Sequence, residues 1–311
     1  MKKCTKFSAL MCFSLLSGCG GNGDGNNVAE TIGVYYSWMS TEIQEAWGSS
    51  FYGQGTRVTI VDAFREGLAD QPFSGNLGDG EKNQLHGKWV SDQVVMLAPL
   101  ASQGLQDFSS TQAITLEVGK LNIINLSYGM IGDADNNGNP YNSIIWSQRE
   151  KSIVDYANNN LALVVKSAGN DGVAIDEINA NGSFDYLNLD LIGARSAIFV
   201  GALESNGSLD QQAALASYSN YAGSDPIVQE QFIVVGVTGD LTGLYGTSFA
   251  APIISGYAAV LGSKFTSDSP ESIKHRLLQT ARTDTVSGYQ TSIHGRGEAS
   301  LSRALAPDSI Q

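Results

Sequence analysis

Tyr245-Gly246-Thr247-Ser248-Phe249-Ala250-Ala251-Pro252, continued by Ile253-Ile254-Ser255-Gly256-Tyr257-Ala258-Ala259-Val260-Leu261, reads as a buried helix that begins at a serine. Small and apolar residues fill nearly every position, so the helix belongs inside a layered domain. A serine at its start sits at the positive end of the macrodipole, beside backbone N–H groups with no partner inside the helix. Two readings follow. Ser248 is an N-cap that satisfies one of those donors, or it is a nucleophile beside which negative charge can develop.

Upstream of this helix, short apolar runs alternate with amphipathic stretches, the pattern of βαβ units on a parallel sheet. Val58-Thr59-Ile60-Val61, Leu121 to Leu126, Leu161 to Val165 and Ala197 to Val200 read as buried strands. Helices are predicted at about 85–97, 143–158, 249–264 and 270–281, the last with Ser269 as N-cap and Pro270 at its first position. The expected fold is a single α/β domain with a central, mostly parallel sheet flanked by helices. In such sheets ligands bind beyond the carboxyl ends of the strands. Asp62, Ser127 and Asn170 stand at those positions.

The segment around Ser248, Gly-Thr-Ser-Phe-Ala-Ala-Pro, is very similar to the nucleophile motif of the subtilisin-like serine proteases, the subtilases. Further segments resemble that family in the same order, from about Trp47 to Ala306. Val58 to Asp62 resembles the strand ending at the family's aspartate, and His86-Gly87 the start of the helix with its histidine. Ser127-Tyr128-Gly129 resembles the strand lining the substrate cleft. Ala168-Gly169-Asn170 resembles the loop with the oxyanion-hole asparagine. The resemblance implies a serine endopeptidase with Ser248 as nucleophile, His86 as general base and Asp62 orienting the base, in the chain order Asp, His, Ser. Asn170 and the backbone N–H of Ser248 would hold the oxyanion. Ser127, Tyr128, Gly129, Ala168 and Gly169 would bind substrate, and no charged residue in those segments argues against an apolar side chain before the cut bond. Without the resemblance, His86 is equally a core or surface histidine and Asn170 a turn residue. The other two histidines, His275 and His294, lie in segments with no catalytic match.

Three departures from the family pattern stand out. Asp62 is followed by Ala63-Phe64 rather than Thr-Gly or Ser-Gly, which removes a hydroxyl donor from beside the carboxylate. Lys88-Trp89 replaces threonine and a second histidine after His86-Gly87. Phe249 replaces the common methionine after the serine, removing an oxidisable thioether. These changes leave open a second reading, a catalytically inactive peptide-binding or adhesion module on the same fold. An esterase is disfavoured, because Gly246-Thr247-Ser248-Phe249-Ala250 ends in alanine where the Gly-x-Ser-x-Gly elbow has glycine.

The first residues carry a different message. Lys2, Lys3 and Lys6 with the apolar run Phe7 to Leu16 make a secretory signal too short to span a membrane. Leu16-Ser17-Gly18-Cys19 resembles a bacterial lipobox, which implies cleavage after residue 18 and acylation of Cys19. Residues 1–18 are then signal, 19–30 a glycine- and asparagine-rich tether, and 31–311 the peptidase domain. Gly20 resembles the sorting pattern for the outer membrane, so a lipid-anchored envelope protein is expected. So few residues lie between Cys19 and Asp62 that the usual inhibitory prodomain is not expected. All three cysteines fall at or before Cys19, which leaves no disulfide for the domain.

The net charge of −13 argues against nucleic acid as a partner. The expected partner is a polypeptide substrate, and the expected state a monomer. No cofactor or metal is needed for the chemistry. Two loops, Asp133-Ala134-Asp135-Asn136-Asn137-Gly138 and Glu177-Ile178-Asn179-Ala180-Asn181-Gly182, space oxygen side chains as calcium loops do. Calcium as a structural ion is one reading of them and exposed turns the other; Ile144 stands where a calcium hand needs its twelfth-position glutamate.

Overall fold

The computed structural model describes residues 32–67, 70–140 and 144–306. The signal, the tether and Cys19 lie outside the described residues. Residues Ile32–Gln311 form one compact unit. Its centre is a six-stranded sheet of β1 (Thr56–Asp62), β2 (Ser102–Asp107), β3 (Leu121–Leu126), β4 (Leu163–Ser167), β5 (Ala197–Leu203) and β6 (Phe232–Gly236). The spatial order is β6-β5-β4-β3-β1-β2, and every neighbouring pair is parallel. The α/β expectation holds.

Side chains alternate between two apolar layers, as the two-residue period of a strand demands. Val58 and Ile60 of β1, Ile123 of β3 and Leu163 and Val165 of β4 enter one layer, with α1 (His86–Leu97), α3 (Ala251–Lys264) and α4 (Pro270–Gln279). Val61, Ile124, Leu126 and Val164 enter the other, beneath α2 (Gln148–Asn158) and the short helix Tyr186–Leu191. Both faces are covered, which explains why these strands read as continuous apolar runs. Helix α3 is buried from Ala251 to Ser263, as its composition requires. No helix among the described residues is long and apolar enough to cross a membrane.

The structure moves several boundaries. Helix α2 begins at Gln148, five residues later than expected, because the Ser147 hydroxyl accepts the Arg149 N–H and caps it there. Strand β4 begins at Leu163 rather than Leu161. The Leu161 N–H is spent on the Tyr156 carbonyl (2.9 Å), and Asn160 turns left-handed at φ 56° to end the helix. Helix α3 is preceded by a 3₁₀ turn over Thr247–Phe249. Two strands of the six-stranded sheet lay outside the sequence reading. β2, Ser-Gln-Gly-Leu-Gln-Asp, is a polar edge strand with one large apolar residue, and β6, Phe-Ile-Val-Val-Gly, carries the same signal as the others.

Candidate active site

Asp62 ends β1 and His86 is the first residue of α1, which brings two side chains 24 positions apart into contact. The Asp62 carboxylate is wholly buried. Its Oδ1 accepts from His86 Nδ1 (2.7 Å) and from the Ala63 N–H (2.7 Å). Its Oδ2 is buried with no hydrogen-bond partner, and the next residue, Ala63, carries no hydroxyl that could supply one. Burial pushes the Asp62 carboxyl up, and the hydrogen bond and charge of His86 oppose the shift. With Nδ1 as donor, Nε2 of His86 is the acceptor. The imidazole packs against Phe249 (centroids 5.4 Å) and Phe73 (6.4 Å).

The loop after Asp62 is pinned from the neighbouring strand. Asp107, in register with Asp62, accepts the Phe64 N–H at 2.8 Å, and the Ala63 carbonyl accepts the Gly87 N–H at 3.1 Å. Asp107 was not legible as a site residue, because it ends a mostly polar strand in which an acid does not stand out.

Ser248 stands in the 3₁₀ turn that opens α3. Its hydroxyl donates to the Ser127 carbonyl (3.1 Å), and the Ser127 hydroxyl donates back to the Ser248 carbonyl (2.8 Å). No hydrogen bond joins Ser248 to His86 in this arrangement. Behind Ser127 lies a buried relay: Asn125 Nδ2 donates to the Ser127 hydroxyl (3.0 Å), and Asn125 Oδ1 accepts from Ser255 of α3 (2.9 Å). The signal for it was present in the sequence, since an asparagine inside an apolar strand and a serine inside an apolar helix each need a partner.

Asn170 follows β4 through Ala168-Gly169. Its Oδ1 accepts both the N–H (2.8 Å) and the hydroxyl (3.0 Å) of Thr247, the residue before Ser248, which leaves its Nδ2 amide to donate elsewhere. Gly246, at φ 118°, makes room: a Cβ there would lie 3.2 Å from Asn170 Nδ2. The Ala168 carbonyl accepts from Asn188 and Asn220 (3.1 Å each), and Asn220 Oδ1 holds the Asp171 N–H (2.8 Å). Thr247, Asn188 and Asn220 therefore fix the Asn170 loop.

The two cleft segments differ from expectation beneath their surface. Tyr128 packs against Phe108 (4.8 Å) and donates to Glu150 (3.1 Å), and burial pushes its phenol far up. Under Gly129 lies a buried ion pair, Lys166 Nζ to Asp185 Oδ2 at 2.9 Å; a Cβ on Gly129 would meet that oxygen at 2.6 Å. The cleft segments themselves carry no charged residue; the ion pair lies in the layer directly below them. Lys166 was hidden in the apolar run of β4, and Asp185 arrives from a distant loop.

The two acidic loops lie side by side through antiparallel pairing of Ile131–Asp133 with Ser183–Asp185. Asp135 Oδ1 accepts the N–H groups of Asn137 and Asn139 (both 2.8 Å), and Asn179 Oδ1 accepts those of Asn181 and Ser183 (3.0 and 3.1 Å). These oxygens are spent on their own turns. Among the described residues no group of three or more His, Cys, Asp or Glu side chains could hold a metal.

A serine held at a helix start, next to an asparagine amide and on the same sheet edge as a carboxylate–imidazole pair, is the layout of a serine hydrolase on a parallel α/β scaffold. Residues 74–298 match the subtilase family, peptidase S8, and the chain belongs to that family. The match begins downstream of Asp62. The chain is 24% identical over 294 residues to the thermostable alkaline protease of Halalkalibacterium halodurans, covering 89% of this chain and 74% of that one. Its fold is similar to that of the prenylagaramide maturation protease PagA (TM-score 0.55, 21% identity, 86% of this chain and 98% of that one). The proteases from Pseudoalteromonas arctica PAMC 21717 are also similar in fold (TM-score 0.52, 18% identity, 90% and 95%).

Proposed function

We propose that this subtilase is an active serine endopeptidase in which Ser248 attacks the peptide carbonyl, His86 takes its proton and Asp62 orients His86. The observation that carries the reading is the 2.7 Å bond from His86 Nδ1 to the wholly buried Asp62 carboxylate. A surface histidine has no need of such a partner, whereas a general base needs its tautomer fixed and its cation stabilised.

An extended substrate lies along Ser127-Tyr128-Gly129, and its backbone N–H takes the Ser127 carbonyl that now accepts the Ser248 hydroxyl. The displaced hydroxyl turns to His86 Nε2. Attack forms the Ser248 Oγ–carbon bond as the proton passes to Nε2. The oxyanion is met by Asn170 Nδ2–H and the Ser248 N–H, and removal of the asparagine donor costs about 10²–10³ in turnover. His86 protonates the leaving amine, and water, deprotonated by the same nitrogen, hydrolyses the acyl-enzyme.

The second reading, an inactive peptide binder, is favoured by the unpartnered Asp62 Oδ2 and by the Ser248 hydroxyl's engagement with Ser127. A fluorophosphonate probe separates the two. Labelling of the wild-type chain at Ser248, absent in Ser248→Ala and Asp62→Ala, supports the enzyme; a wild-type chain that is folded, unlabelled and inert towards a peptide library is the binder.

From its sequence we further propose lipid anchoring at Cys19 in the bacterial cell envelope, at the outer membrane. Palmitate incorporation lost in Cys19→Ala tests it.

A further inference from the structure

A cavity of about 490 Å³ opens between the Gly193–Arg195 turn, the short helix Pro226–Gln231 and helix α4. The turn precedes β5 and the short helix precedes β6, so the cavity lies at the amino-terminal edge of the sheet, whereas Ser127 and Asn170 follow strand carboxyl ends. Arg195, Arg296, Lys274 and His275 line it, with Glu230 and Glu271. Each guanidinium already has a carboxylate: Arg195 with Glu271 (2.6 Å) and Arg296 with Glu230 (3.0 Å). Lys274 has none. It is buried, and its ammonium donates only to the backbone carbonyls of Ala194 and Arg195 (3.1 Å each). An ammonium has three N–H groups, so one remains. Burial lowers the Lys274 pKa to about 8, with Glu271 opposing.

The turn is built rather than loose, since Gln231 accepts the Gly193 N–H (2.7 Å) and donates to the Ala194 carbonyl (2.8 Å). Arg195, Arg296 and Lys274 against Glu230 and Glu271 are three cations to two carboxylates, so one positive charge has no counter-charge. Pro226, Ile227 and Leu278 supply apolar wall beside it.

We propose that this cavity binds a monocarboxylate with a short apolar body, the carboxylate seated on Lys274 and reaching Arg296 or Arg195, the body against Ile227 and Leu278. A free short acid and the carboxyl-terminal residue of a peptide share that chemistry. The site is separate from Ser248, and the proposal stands whether or not the chain cleaves peptides.

The test is thermal melting of the full chain against N-acetyl-leucine, acetyl-alanyl-leucine, N-acetyl-leucinamide and inorganic phosphate at constant ionic strength. The expected result is a saturable rise in melting temperature with the carboxylates and none with the amide. A stronger response to the dipeptide than to the amino acid identifies a peptide end as the natural source. Arg296→Gln, a change at an exposed pair, weakens the apparent affinity, and Lys274→Met weakens it about tenfold or more. An equal response to the amide, a larger one to phosphate, or affinities unchanged in both variants overturns the proposal. Should Lys274→Met fail to fold, Arg296→Gln with Arg195→Gln decides the matter.

Discussion

Ala63→Ser is the substitution on which the reading of Asp62 bears most directly. Oδ2 of that carboxylate is buried without a partner, while Oδ1 takes both available donors, His86 Nδ1 and the Ala63 N–H. A hydroxyl at residue 63 supplies the missing donor. A hydrogen bond to a charged group contributes about 1.5–3 kcal/mol, and fitting one more atom at a buried site costs about 1 kcal/mol. The net is a gain of about 0.5–2 kcal/mol, read in a domain of this size as a melting temperature higher by roughly 1–8 °C. The gain has a pH signature. Burial raises the folded-state pKa of Asp62, so the folded state binds the proton more tightly than the unfolded chain, and stability is lost as pH rises from the unfolded value through the folded one. A donor to Oδ2 stabilises the anion and lowers the folded pKa. The variant's advantage is therefore full above the wild-type folded pKa and fades as pH falls through it towards the variant's lower one. Melting curves from pH 3 to 8, with kcat/KM on a chromogenic peptide, measure it. A variant that melts no higher at pH 7, or gains equally at pH 3, refutes the argument that an orphaned oxygen limits this site.

Lys166→Met strands Asp185 beneath the cleft and should cost about 3–5 kcal/mol by urea denaturation, with much of the loss recovered in Lys166→Met/Asp185→Asn. With Phe249 in place of methionine beside Ser248, activity should survive peroxide; peptide mapping should find Met130, half-buried next to Gly129, oxidised before the buried Met39. Because the loop oxygens of Asp135 and Asn179 are bonded to their own backbone, a chelator should leave the melting temperature unchanged, and a fall of several degrees on adding EDTA would overturn that reading. Lys274, held to about 8 in the folded state against about 10.4 in an unfolded chain, makes the unfolded state the stronger proton binder between those values. Stability should rise with pH across that window by up to about 3 kcal/mol more in the wild type than in Lys274→Met.

What the sequence could tell was set by whether a residue's partner lies nearby in the chain or far off. The strands β1, β3 and β5 were legible because burial on both faces writes a continuous apolar run. β2 was not, since an edge strand is half in water and its pairing with β1 leaves no mark on composition. Ser248, Asp62, His86 and Asn170 were singled out by motif, and the structure places Asp62 against His86 and Asn170 against Thr247. The groups that fix them were invisible for a common reason. Asp107, Asn188, Asn220 and Asp185 each act by hydrogen bonds to a segment 20 to 55 residues away, and a lone polar residue looks the same in the sequence with or without that partner.

Asn125 and Ser255 form the instructive exception. Each is polar inside an element that is otherwise apolar, and leaving either unpaired in the core would cost about 1–3 kcal/mol. Their mutual bond could therefore have been anticipated, and with it the docking of α3 on β3 that sets Ser248 over Ser127. The same reasoning bears on Asp62. The Asp62 carboxylate is buried with one oxygen lacking a donor, a cost to the fold, and the one side chain its other oxygen touches is His86. If the carboxylate serves the base, replacing Asp62 by an apolar residue of similar size should lower kcat by about 10⁴; if the chain is an inactive binder, the same replacement leaves peptide binding unchanged.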